Sequence, residues 1–112
     1  MALKLNPKAV EHAKMLIAKD EVDHMHKNWQ EEQPTKDEVD RYLNTHSLEE
    51  LGLWYLAIDT DEDPKSMQKY RLPIGDFSLI YKSGIEAAQK SAKNTEIENA
   101  AKQLLGIIEK KK

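Results

Sequence analysis

At 112 residues, with 39% hydrophobic and 33% charged positions and a net charge of −3, the chain has the size of one domain with a single modest core. It contains no cysteine, which excludes a disulfide framework, a thiol nucleophile and a thiolate metal site. The acidic balance argues against nucleic acid as a partner, because phosphate affinity needs a clustered cationic surface. No run approaches the ~18 apolar residues of a membrane span, and the opening MALKLNPKAV lacks the apolar stretch of a leader. The expectation is a cytoplasmic single domain over residues 1–112 that makes no membrane contact.

Asn6-Pro7 reads as a helix start, an N-cap followed by a proline whose missing N–H costs nothing at the first position. Ala9, Val10, Ala13, Leu16 and Ile17 keep helical spacing and predict a helix over about 7–19 with one buried face. Residues 20–34 (DEVDHMHKNWQEEQP) lose that period and read as a loop, with Trp29 folded back as an anchor. Thr35-x-x-Glu38 and Ser47-x-x-Glu50 are capping boxes, in which a hydroxyl and a carboxylate each satisfy an exposed N–H. They predict one short helix near 36–45 and another through Leu51, ended by Gly52 in the left-handed conformation.

The segment 52–76 concentrates aromatic, proline and glycine residues and reads as the packing centre. LWYLAI at 53–58 is an apolar run whose length and bounding turn signals favour a buried strand. Asp63-Pro64 predicts a helical turn over 64–70, and the stretch 72–75 is non-helical around Pro73. FSLIY at 77–81 is the second strand candidate, expected to pair with 53–58. Ser83 is placed to cap a helix from Gly84 to about Lys93 that buries Ile85, Ala88 and Ala92. Thr95-x-x-Glu98, a third capping box, predicts a last helix over about 96–110 with Ile97, Ala100, Ala101, Leu104, Leu105 and Ile108 inward. The basic residues 110–112 form a frayed tail, and the short Asn94-Thr95 link makes the last two helices neighbours.

Asp59-x-Asp61-x-Asp63 has the acidic spacing that opens a calcium loop. Pro64 stands where that loop needs glycine, however, and Tyr70 where it needs a bidentate glutamate. His24 and His26 alternate in a loop, with His12 and His46 elsewhere, but nothing fixes the further ligands that a tight site requires. No metal or cofactor is therefore assigned; Asp59, Asp61, Asp63, His24 and His26 stand as the metal candidates. A phosphate-binding glycine loop and a nucleophile elbow are both missing, which favours a non-enzymatic protein. In the aromatic group Trp54, Tyr55, Tyr70, Phe77 and Tyr81, Trp54 and Phe77 are expected to pack inward with Leu56. Tyr55, Tyr70, Arg71 and Lys69 are the candidate contacts for a protein partner, since Tyr and Arg are favoured at interfaces.

Within 52–92, WYLAID is followed by KSMQKYRLPIGDF and then YKSGIEAAQKSA. This resembles a pattern in small uncharacterised prokaryotic proteins, where a W-[FHY]-L-x-[IV]-D strand leads to K-x-x-Y-x-x-P-x-G-D and an [RK]-S-G-[LI]-x-A-A helix. The NPKAVEHAKMLI opening is similar to the first helix of the same proteins. Tyr55 stands where histidine is frequent and Lys82 where arginine is common. A looser form of the middle pattern resembles segments of phage proteins encoded near head-maturation proteases. The first resemblance implies a compact domain with no assigned activity, and the second implies assembly or protein contact.

The fold class expected is α+β, a helix-dominated small domain of about four to five helices with a short two-stranded β element at its centre. Trp54, Leu56, Ile58, Leu72, Ile74, Phe77 and Ile80 form that centre, covered by Val10, Leu16, Ile17, Leu43, Ile85, Ala88, Ile97, Leu104 and Ile108. The function expected is a small non-enzymatic protein-interaction or assembly module, with homo-oligomerisation left open. The alternative is a metal- or small-molecule-binding domain, or a small enzyme, using the 59–63 acidic turn or the 23–26 histidine loop.

Overall fold

A computed structural model describes residues 2–111. The first helix, α1 (Pro7–Ala18), follows the apolar period and buries Ala9, Val10, Ala13, Leu16 and Ile17. A strand the sequence does not announce, β1 (Leu3–Leu5), precedes it. Asn6 occupies the N-cap position without capping, because its side chain is used elsewhere.

Residues 20–34 are not a plain loop. They hold β2 (Val22–Asp23) and a single turn, α2 (Trp29–Glu32). Trp29 does fold back: it is buried, and its ring lies 5.3 Å from that of Tyr81. Both α3 (Lys36–Leu43) and α4 (Leu48–Gly52) start on complete capping boxes, from Thr35 with Glu38 and from Ser47 with Glu50. Each such cap stabilises its helix by about 1 kcal/mol. Gly52 does not end α4 by adopting a left-handed conformation, since no glycine has a positive φ. The missing side chain makes room there for a neighbouring ring. A Cβ would stand 2.4 Å from the ring of Tyr70.

The central strand is β3 (Tyr55–Asp59), in which Leu56 and Ala57 are fully buried. It pairs antiparallel with β1, Leu5 opposite Ala57, and with β4 (Tyr70–Pro73), Ile58 opposite Tyr70. Strands paired on both sides and covered read as continuous apolar runs, as LWYLAI does. The partner expected at 77–81 is thus corrected to β1 and β4. Only Ile80–Tyr81 (β5) of that stretch is extended, and it pairs in parallel with β2. The reason is local. The Asp76 carboxylate accepts from the N–H groups of Ser78 and Leu79 at 3.0 and 2.9 Å, and Phe77 is turned to φ 73°, which breaks the strand.

The helical turn expected over 64–70 contracts to a 3₁₀ turn, Met67–Lys69, opened by the Ser66 hydroxyl accepting from the Gln68 N–H. Asp63 forms a tight turn of its own by accepting from the Lys65 N–H. The helix α5 (Lys82–Ser91) begins earlier than expected, so Ser83 lies inside its first turn and does not cap it. In α6 (Thr95–Lys110) the cap is Asn94 and not Thr95: its side-chain oxygen accepts from the N–H groups of Glu96 and Ile97. The Asn94 amide also donates to the Leu3 carbonyl, tying α6 to β1. At the tail, Lys110 is helical and the Lys111 ammonium donates to the Ala18 carbonyl; Lys112 lies outside the described residues.

The result is an α+β domain whose described residues form six α-helices, a three-stranded sheet ordered β1-β3-β4 and a two-stranded pair β2-β5. This is more of both elements than the expected four to five helices over one ribbon. The helix α6 packs against α5, α1 and β1, while α1 lies on β3 and α5 on β4. Leu56, Ile74, Ile80, Ile85, Ile97, Leu104 and Ile108 are sealed in the core, whereas Ile58, Leu72, Phe77 and Leu43 are only half-buried. No described helix is long and apolar enough to cross a membrane.

Candidate functional site

Along the outer side of α1 runs an apolar groove, built by a buried amide. The Asn6 side chain donates to the carbonyls of Gly52 and Tyr55 at 2.8 and 3.0 Å, and its N–H donates to the Leu56 carbonyl. This fastens the start of α1 to the corner where α4 becomes β3. The deeper part, about 440 Å³, is lined by Asn6, Pro7, Lys8, Glu49, Gly52, Leu53, Ile58, Lys69 and Tyr70. A shallower part, about 470 Å³, continues over Pro7, Lys8, Glu11, His12, Met15 and Leu53. Pro7, Lys8 and Leu53 belong to both, so the two form one trough.

The Tyr70 ring makes the wall of the deep end. It fills the space left by Gly52, stacks on Tyr55 at 5.8 Å, and carries the Lys69 ammonium 5.0 Å from its centre. Lys69 is steadied by donating to the Pro64 carbonyl. At the shallow end His12 meets Trp54 edge-on at 4.9 Å, with Nδ1 3.3 Å from the Leu53 carbonyl. Burial lowers the His12 pKa, the Leu53 carbonyl opposes this, and Lys19 adds to the lowering. A neutral ring suits an apolar trough. Met15 is one of the few large apolar side chains left exposed.

Of the expected partner contacts, the trough gathers Tyr70 and Lys69 but neither Tyr55 nor Arg71. Tyr55 is corrected from surface to core: it is 9% exposed, and burial pushes its hydroxyl pKa up to about 12. Arg71 turns to carboxylates, with one guanidinium nitrogen 3.5 Å from both Asp59 and Glu62, while its Nε donates to the Gln68 carbonyl.

The acidic turn is also used internally. Asp59 is buried, and its carboxylate accepts from the N–H groups of Asp61 and Ala2 besides facing Arg71. In the histidine loop, Asp23 accepts from the N–H groups of Met25 and His26 at 2.8 Å and meets the His26 ring at 2.7 Å. Burial pushes the Asp23 pKa up, but the His26 and Met25 bonds outweigh it and the net shift is downward. The same side-chain bond, then the Asp23 and Glu32 charges, raise His26. His24 is exposed. Among the described residues no group of three or more His, Cys, Asp or Glu side chains is placed to hold a metal ion.

The sequence patterns single out neither Pro7, Lys8 nor Leu53 as members of a site, and His12 enters only among the histidines weighed for a metal. Met15 does carry a signal, being a large apolar residue that lies off the inward face of α1 and stays 46% exposed. No protein-family model matches the chain, and neither a curated protein nor a solved structure matches it.

Proposed function

We propose that the protein is a non-enzymatic interaction module of the cytoplasm that docks an apolar segment of a partner protein in the α1 trough. The observation that carries this reading is the continuous apolar floor from Ile58 and Tyr70 through Leu53 to Met15, with Lys8, Lys69 and Glu49 around its deep end. Aromatic anchors in a concave apolar site are where binding energy concentrates. A looser form of the middle pattern, the 54–59 strand and the stretch that leads to Pro73, resembles phage segments encoded near head-maturation proteases, and a role in assembly would agree with that.

Affinity capture with the wild-type chain, Met15→Glu, Tyr70→Ala and Arg71→Ala tests this. The expected result is a partner held by wild type and Arg71→Ala but lost with Met15→Glu and at least tenfold weaker with Tyr70→Ala, about 1.4 kcal/mol or more. Equal retention by all four proteins overturns the docking site. Sedimentation at increasing concentration covers the remaining occupant: a dimer abolished by Met15→Glu replaces the foreign segment with a second copy of this chain.

A further inference from the structure

The shallow half of the α1 trough holds a titratable group among its apolar ones: the His12 ring, which lines it together with Pro7, Met15 and Leu53. The ring is held on two sides. It stands edge-on to Trp54 at 4.9 Å, and Nδ1 lies 3.3 Å from the Leu53 carbonyl. A carbonyl oxygen only accepts, so Nδ1 carries the hydrogen of the neutral ring and Nε2 is the atom that takes up a proton. The bond to Leu53 survives that step. The ring therefore keeps its place while its charge changes, and that charge is shared by the whole imidazolium.

The charged groups around the ring do not neutralise it. From the same helix, Glu11 faces Lys14 at 3.7 Å, and Lys19 opposes protonation. Glu49 stands in the deep half of the trough with Lys8 and Lys69. The α4–β3 corner meets the ring with the uncharged Leu53 and Trp54, and Phe77 lies behind Trp54 at 6.0 Å. Burial already disfavours the charged form and lowers the His12 pKa below 6.5. An apolar group laid over the ring strips more water from it, which costs the imidazolium far more than the neutral ring.

We propose that protonation of His12 switches the trough off: an uncharged apolar segment docks on the neutral ring and is released when the ring becomes charged. This rests on the docking role proposed above and adds its regulation. A ligand that prefers the neutral ring lowers its pKa further on binding, and by reciprocity acid weakens the ligand. Affinity is full above the His12 pKa of the free protein and falls as pH drops from that value through the bound one. Each unit between the two values corresponds to about a tenfold loss.

The test uses Nile red, an uncharged apolar dye whose emission moves to the blue when it leaves water, titrated into the full chain at pH about 7.5 and about 5. The expected result is saturable binding at the higher pH that Met15→Glu abolishes, and about tenfold weaker binding at the lower pH. His12→Phe, which keeps a ring against Trp54, should bind equally at both. Saturating dye should also lower the His12 pKa of the wild-type chain, read by NMR, a measurement that needs no variant. Dye binding that Met15→Glu removes but pH does not change overturns the switch and leaves the docking role standing. So does a pH response that persists in His12→Phe, or a His12 pKa unmoved by dye. Absence of saturable binding at either pH, or binding indifferent to Met15→Glu, overturns the docking role and the switch with it.

Discussion

The two sheets of this domain are built on different principles. In β1-β3-β4 the middle strand is hydrogen-bonded on both sides, sealed at Leu56 and Ala57, and pinned at its two ends by the buried polar groups of Asn6 and Asp59. The β2-β5 pair has only two residues in each strand, joins segments far apart in sequence, and depends on Trp29 packed against Tyr81 and Gly84. The first is a core and the second a clasp. The candidate docking site follows this division: the trough rests on the core sheet, away from the clasp.

The largest effect expected is on the core. Leu56→Ala removes a fully buried side chain from the central strand and should lower unfolding free energy by about 4 kcal/mol in denaturant titration. Trp29→Ala should lower it by about 3 kcal/mol, because its cavity lies near the surface and water can enter. The second variant also separates the regions. Amide exchange should quicken at Ile80 and Tyr81, which donate to Glu21 and Ile74, while the Leu56 and Ala57 amides keep their protection. Equal acceleration in both sheets would break the distinction between core and clasp.

The smallest effect is electrostatic and has opposite signs in the two regions. His26, raised by Asp23, should titrate above 6.5, and His12, lowered by burial, should titrate below it. The raised His26 pKa favours the folded state below pH 6.5, and that gain disappears as pH rises through its folded value. For His12, stability falls as pH drops from 6.5 through its folded value, since the buried ring resists a proton that the unfolded chain accepts. NMR titration of Asp23→Asn should bring His26 back toward 6.5 and leave His12 unmoved. A shift of both rings would show that the clasp and the core are electrostatically coupled.

What could be read from the sequence follows the range of the interactions. Thr35 with Glu38 and Ser47 with Glu50 are contacts within one turn, and both boxes form as the spacing predicts. The Thr95 box fails because Asn94, one residue earlier, offers an oxygen to two N–H groups at once. The apolar face of α1 and the buried run of β3 are legible because periodicity records burial. The partners of β3 are not. A strand of three residues such as β1 is too short to show alternation, and the Asp76 turn that removes Phe77 from the sheet depends on a side-chain bond. Tyr70 and Lys69 stand out by residue type, yet the trough they line draws on α1, α4, β3 and β4, a gathering that no single stretch of sequence displays. Tyr55 has the same chemistry as Tyr70 but is buried, and only the packing separates the two.

The amide that fastens α1 to the α4–β3 corner has a chemical consequence. Asparagine ages when the nitrogen of the following residue attacks its side-chain carbonyl, closing a succinimide ring that opens to aspartate or isoaspartate. At Asn6 that nitrogen belongs to Pro7 and carries no hydrogen, so this route is closed. The joint that sets the shape of the trough is thus shielded from the commonest slow damage to its residue type, without help from the surrounding fold.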